Sequence, residues 1–335
     1  MRRSSLIIKY RDQDATEVIS EDMESFTWTD VASGEADTFS VTLNDRTLKW
    51  LKGFFPSSKD YIKTWIKVTD WRREKDNRKK FCGRFQVDAF TASGFGSTFQ
   101  IDAISIPIRK SFNVTQRNKT FKKTTVKRIM RDIAKRAKCK LVYQAKNYQI
   151  DEISQSGETD MSFGFSLCEQ YDLGMKVYNK KIIVYDKTRY EKRKISYTID
   201  RSQLGDSGAY SFSRQITNIY DGVKLQYTNK DDKTVTYKYV VPGKKGKRLL
   251  FVSGSADSHA DAERKAKAEL LKNLRSANSI TLNLMGDPKY LAATTFKLTG
   301  MGKLNGKYFI DKVTHSKQGK YTTSICAHPV VTNIK

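Results

Sequence analysis

GKYFIDKVTHSKQGKYTTSICAH (306–328) holds two of the chain's three histidines, His315 and His328, and one of its four cysteines, Cys326. Two readings compete for it: part of a metal site, or one copy of a repeated hairpin. The segment aligns with GRFQVDAFTASGFG (83–96). Gly83, Asp88, Thr91, Ser93 and Gly96 meet Gly306, Asp311, Thr314, Ser316 and Gly319, with Arg84 on Lys307, Phe85 on Tyr308 and Val87 on Ile310 between them. After a gap of one residue the match continues, with Thr98, Ile101 and Ala103 against Thr322, Ile325 and Ala327. The shared letters are a hairpin skeleton of glycines, small hydroxylated residues and core aliphatics. The metal-capable letters are not shared: His315 meets Ala92, and Cys326 and His328 meet Asp102 and Ile104. A turn at 316–320 pairs His315 with Tyr321 and sets Cys326 opposite Ile310. Roughly 16 Å of strand then separates His315 from Cys326, whereas zinc holds its ligands at about 2.0–2.3 Å. The expectation is therefore two related hairpins and no metal, with Asp88 and Asp311 as structural hydrogen-bonding residues.

Other chemistry finds little support. Three histidines give scant general-base capacity, and His259 sits among polar residues at a helix start. No G-x-S-x-G, H-E-x-x-H or Walker sequence occurs. PGKKGKR (242–248) lacks phosphate-loop spacing and reads as an exposed hairpin tip. Glu35 and Asp37 flank a turn rather than forming a catalytic pair. No catalytic residue and no cofactor are expected, so the chain is read as a non-enzyme. Cys82, Cys139, Cys168 and Cys326 are scattered without C-x-x-C and read as reduced structural thiols of a protein made in a cytosol. No apolar run approaches the length of a membrane span, and MRRSSLIIKY is not a signal peptide.

The 335 residues carry a net charge of +26. Residues 109–150 hold fourteen Lys or Arg and one acid, Asp132, so an eighth of the chain supplies half of that charge. Such a block calls for an acidic partner. Arg109, Lys110, Lys122, Lys123, Lys127, Arg128, Arg131, Lys135 and Arg136 are the candidate contacts.

Periodicity divides the chain in three. Residues 1–108 alternate with period two, as in YIKTWIKVTDW (61–71) and FCGRFQVDAF (81–90), and predict a first β region, a barrel or a sandwich. Residues 109–194 predict an α+β insertion module with a basic helix over 121–139, a helix over 159–172 and a hairpin over 175–186 turning at Asn179-Lys180. Thr124 or Thr125 is placed to cap the basic helix. Residues 195–335 return to strands and predict a second β region, with a helix over 257–275 capped by Ser258; the resemblance described below makes each β region a barrel. The fold class is β-rich α+β.

SFTWTDVASGEADTFSVTL (25–43), ISQSGETDMSFGFSLCEQYDLGMKVYNKKIIVYD (153–186) and ITLNLMGDPKYLAATTFKLTGMGKLNGKYFIDKVTHSKQGKYTT (280–323) resemble, in order, the phage late-control or baseplate hub proteins of contractile tails. The likeness is nearest to hubs of Gram-positive phages and phage-tail-like bacteriocins. It implies two tail-tube-like barrels with an α+β insertion, assembled as a homotrimer that joins a sixfold tail tube to a threefold central spike. The implied partners are further copies of the chain, the tail tube protein, the spike and other baseplate or tape-measure proteins. The implied destination is a tail or tail-like particle, with no membrane insertion. The alternative is a protein that binds nucleic acid or another anionic polymer through 109–150.

Overall fold

The computed structural model describes residues 2–57, 60–94, 98–105, 110–205, 209–228, 233–331 and 334, with backbone only for Lys110 and Ser111. The first β region comprises β1 (Arg3–Tyr10), β2 (Gln13–Asp14), α1 (Thr16–Asp22), β3 (Met23–Val31), β4 (Thr38–Asn44), α2 (Lys49–Gly53), β5 (Tyr61–Thr69), β6 (Arg78–Ser93) and β7 (Thr98–Ile104). The middle module follows with α3 (Lys110–Asn113), β8 (Gln116–Thr125), α4 (Val126–Arg136), β9 (Lys140–Gln144), β10 (Gln149–Thr159), α5 (Asp160–Glu169), β11 (Leu173–Tyr178), β12 (Lys181–Asp186) and α6 (Lys187–Glu191). The second β region contains β13 (Tyr197–Asp200), β14 (Tyr210–Arg214), β15 (Gly222–Thr228), β16 (Thr234–Val240), β17 (Leu249–Ser255), α7 (His259–Ser276), β18 (Asn278–Met285), β19 (Thr295–Thr299), β20 (Gly306–Gln318) and β21 (Lys320–Pro329).

Alternation builds the strands. In β5, Ile62, Ile66 and Val68 are buried while Lys63, Trp65 and Lys67 face outward. The two β regions form one thirteen-stranded sheet, whose main path runs β14-β18-β21-β20-β3-β4-β7-β6-β5-β1-β2, with β19 on β20 and β13 on β19. The same run of strands occurs twice. β3-β4-β7-β6-β5 and β14-β18-β21-β20-β19 share spatial order, chain order and antiparallel pairing throughout. The sixth strand differs, because β1 joins β5 antiparallel and β13 joins β19 parallel.

Two details of β6 recur in β20. Gly83 and Gly306 sit at φ +153° and +159°, a region that favours glycine. The ladder to the next strand slips by one residue between Val87 and Ala89, and between Ile310 and Lys312. Asp88 and Asp311 are thus the extra residues of equivalent β-bulges. Thr91 and Thr314 lie beyond the bulges, opposite Gln100 and Ser324. Gly319 makes the turn of its hairpin at φ +69°, whereas Gly96 lies outside the described residues.

The two β regions are not separate bodies. The far half of β20 pairs with β3, from Lys312 on Val31 to Gln318 on Ser25. Tyr321, on the returning strand, is buried in the first region's core with Phe26, Phe39 and Trp71. The second region's hairpin therefore completes the first region's wall.

Four expectations need correction. Among the described residues no strand path closes on itself, so the two expected barrels are two strand runs joined in one open sheet. The basic helix begins at Val126, not 121, because Phe121–Thr125 belong to β8, which pairs with β10. Threonines at 120, 124 and 125 favour the extended state there. The 306–328 hairpin turns at Gly319, so His315 faces Thr323 and Cys326 faces Lys312. Residues 242–248 are no hairpin tip, since β16 and β17 flank β15 on opposite sides, β17 in parallel.

Candidate functional site

α4 buries Val126, Ile129, Met130, Ile133 and Ala134 against α5 and the β11–β12–β9 sheet. The Thr125 hydroxyl accepts a hydrogen bond from the Arg128 amide at 3.2 Å and caps the helix. The opposite face is cationic. Arg128, Arg131 and Lys135 are exposed, and their i, i+3, i+7 spacing makes one stripe about 10 Å long. Exposed Lys123, at φ +44°, stands at the end of β8.

Three of the other candidate cations are engaged. Lys122 faces Glu152 across the β8–β10 ladder, with 3.2 Å between Nζ and Oε2. Lys127 lies over the Tyr143 ring, 5.8 Å from its centre. Arg136 turns inward and donates to both oxygens of fully buried Asp160 at 2.6 and 2.8 Å. Arg109 lies outside the described residues, and Lys110 starts the short α3. The basic block is thus partly structural and partly an open surface.

The two histidines of the quoted hairpin, and the buried cysteines Cys82 and Cys168, are built into the scaffold. His315 is fully buried and stacks on Trp28 at 4.8 Å. Its Nε2–H donates to the Tyr290 carbonyl at 3.1 Å, and Nδ1 accepts from the Tyr321 hydroxyl at 2.8 Å. Burial pushes its pKa down to about 4, so the ring stays neutral. His328 is the reverse case. Burial opposes its charge, but Asp311 at 2.7 Å from Nδ1 and Glu191 at 3.3 Å from Nε2 outweigh burial and lift the pKa to about 9. Burial pushes the Cys82 and Cys168 thiols up to about 12, which leaves them protonated and unreactive at neutral pH. Among the described residues no group of three His, Cys, Asp or Glu is placed to hold a metal ion, and no helix is long and apolar enough to cross a membrane.

Three charged junctions escaped the sequence reading. Lys176 on β11 reaches Asp30 at 2.5 Å and Asp37 at 2.6 Å, while Asp30 also accepts from the Ala292 amide at 2.8 Å. Buried Asp287 receives Arg72 at 2.9 Å and Arg78 at 2.7 Å from the first β region. Arg275 on α7 binds Glu191 at 2.5 Å and also Asp172, and Glu191 continues to His328. Partners lie up to 262 residues apart, so spacing gave no signal for them.

No protein-family model matches the sequence, and no curated protein matches it either. Solved structures do. The 43 kDa tail protein of prophage MuSo2 from Shewanella oneidensis superposes with a TM-score of 0.70 at 11% identity, over 98% of this chain and 97% of that one. The tail protein from Neisseria meningitidis MC58 gives 0.71 at 12%, over 97% and 96%. The Escherichia coli c3393 protein, a type VI secretion component described as structurally similar to the T4 bacteriophage tail proteins gp27 and gp5, gives 0.59 at 12%, over 92% and 73%. Along almost its whole length, this chain has the fold of these phage tail proteins.

Proposed function

We propose that the chain is the structural hub of a contractile-tail baseplate, a homotrimer that joins a sixfold tail tube to a threefold central spike. The observation that carries this reading is the doubled five-strand run within one chain of tail-protein fold. Three copies present six like units, so one ring meets sixfold symmetry on one side and threefold on the other. The task is mechanical and involves no reacting atom, in keeping with buried, protonated thiols and a neutral, enclosed His315. The chain is made in the bacterial cytoplasm and carried into a tail or tail-like particle, where it meets the tube, the spike and other baseplate or tape-measure proteins. The same reading divides the chain near residues 108 and 194, with the β20–β21 hairpin shared between the two β units. The exposed stripe of Arg128, Arg131 and Lys135 faces an acidic surface of a neighbouring baseplate or tape-measure protein.

Counting copies of the chain per purified tail tip, by quantitative mass spectrometry against the spike, tests this. Three copies are expected, and one or six would refute the trimer. The second reading, binding of nucleic acid or another anionic polymer, is favoured by that same exposed stripe. A gel shift with DNA or RNA at physiological salt and micromolar protein would support it, because phosphate binding of this kind is salt-dependent but survives there.

A further inference from the structure

The first β unit stops short of closing, and the gap is a cationic cleft. Its strands follow the order β3-β4-β7-β6-β5-β1, and the far half of β20 joins the other side of β3. Along Arg3–Ile8, β1 pairs with β5 alone among the described residues. The two ends of this run meet without a ladder: Lys317 of β20 donates from Nζ to the Ser4 carbonyl of β1 at 2.7 Å. A cleft of about 1550 Å³ opens along this seam. That exceeds the roughly 300–1,000 Å³ of a small-molecule pocket.

Arg2, Arg3, Lys67, Lys317 and Lys320 line the cleft, and none of its described lining residues is acidic. The Arg2 guanidinium donates to the Met285 sulfur at 3.1 Å and lies over the Trp71 ring at 5.7 Å, and neither contact neutralises it. Asp70, which feels the charge of Arg3, lies outside the lining. Burial pulls the Lys317 pKa down, with no carboxylate to offset it. β1 and β5 supply cations from one side of the seam, and the β20–β21 hairpin supplies them from the other. Charges of one sign lining a concave, low-dielectric surface focus its potential and attract an anion.

The rest of the lining selects among anions. Trp71 and Tyr321 are buried; the Trp71 indole N–H donates to the Gly286 carbonyl at 2.6 Å, and the Tyr321 hydroxyl is held by His315. Neither aromatic of the lining offers an open face for bases to stack on. Met285, by contrast, is 42% exposed in the same cleft and can receive an apolar side chain. We propose that the seam binds an extended acidic segment of a partner protein, with carboxylates on the five cations and an apolar side chain against Met285. Alternate residues of an extended chain point the same way, so a segment that alternates acidic and apolar residues suits the site. The cleft belongs to the first β unit and the shared hairpin, apart from the α4 stripe, and the inference does not depend on the copy number of the hub.

The test is fluorescence anisotropy of a labelled decapeptide of alternating Glu and Leu, titrated with the full-length chain. Saturable binding at low salt is expected, weakening as salt rises, with no binding of the Lys-Leu counterpart. Lys67→Gln with Lys320→Gln removes two exposed cations. That pair should weaken binding about tenfold at an unchanged melting temperature. Arg128→Glu with Arg131→Glu and Lys135→Glu on α4 should leave binding unchanged. No binding, or binding indifferent to the cleft variant, would overturn the proposal. Oligothymidylate that displaces the peptide would assign the cleft to nucleic acid. A peptide that binds only by parting copies of the chain, as followed by light scattering, would assign it to a contact between copies. Either result would also overturn the proposal.

Discussion

His328 offers a quantitative test of how the second β unit is tied to the middle module and α7. Its ring donates to Asp311 on its own hairpin and to Glu191 at the end of α6, and Glu191 is itself held by Arg275. The pKa stands near 9 against an ordinary value of 6.5. At about 1.4 kcal/mol per tenfold change in proton affinity, the charged ring contributes about 3 kcal/mol to stability. That is an upper figure, because the Asp311 side chain is 44% exposed and part of its attraction is screened. A pKa raised in the folded state gives stability that is complete below pH 6.5 and fades as pH rises through 9. Nuclear magnetic resonance of the histidine rings can follow this directly, with His328→Gln identifying the signal. A midpoint near 9 is expected, and the urea midpoint of the wild type should exceed that of His328→Gln at pH 6 but not at pH 10. A His328 midpoint at or below 6.5 would refute the clamp.

Removing Arg136 should expose the difference between engaged and open cations: Arg136→Met takes from buried Asp160 the donor to both its oxygens, leaving Gln155 at 3.2 Å and Arg117 at 3.5 Å, and should cost about 1.5–3 kcal/mol in denaturant titrations, whereas Arg128→Met should stay within about 0.5 kcal/mol. Reversing Arg128, Arg131 and Lys135 together to Glu should leave circular dichroism unchanged but keep the chain out of particles; normal particles would rule out the acidic partner. Gly286→Ala would place a Cβ 2.4 Å from the Tyr321 ring, and because that ring is buried and bonded to His315, a loss of about 1–3 kcal/mol is expected from thermal melts.

How legible this fold was depended on the range of the interactions. The strands of the β regions follow from alternation, and α4, α5 and α7 begin at the caps Thr125, Thr159 and Ser258, because both signals are written within a few residues of each other. The likeness of 83–96 to 306–319 was visible for the same reason: each hairpin carries its own glycine and bulge. The closed barrels were misread because alternation fixes which face of a strand is buried but not which edge it meets. Nothing in residues 312–318 says that they pair with β3. The length of the basic helix was misread because Lys and Arg carry no preference strong enough to separate an exposed strand from an exposed helix, and Phe121 fits either. Of the candidate contacts, the stripe on α4 followed from helical spacing. The inward turn of Arg136 depended on Asp160, whose burial no local pattern announced.

The charged junctions explain why an open sheet of this size holds a defined shape. Buried ion pairs stabilise little in net terms, since desolvation offsets most of the attraction, but breaking one is expensive. Apolar contacts tolerate sliding, whereas a carboxylate bound by two donors does not. Asp287 takes Arg72 and Arg78 from the first β region while its amide donates to Thr323 beside the shared hairpin. Asp30 ties Lys176 of the middle module to the Ala292 amide of the second region. Glu191 joins Arg275 of α7 to His328. Each buried acid therefore touches two parts of the chain far apart in sequence, and together they fix the angle between its parts rather than add to the core. The proposed ring of copies closes only if that angle is the same in every copy. Residues that specify geometry at little net gain in stability are what such a ring requires of its subunit.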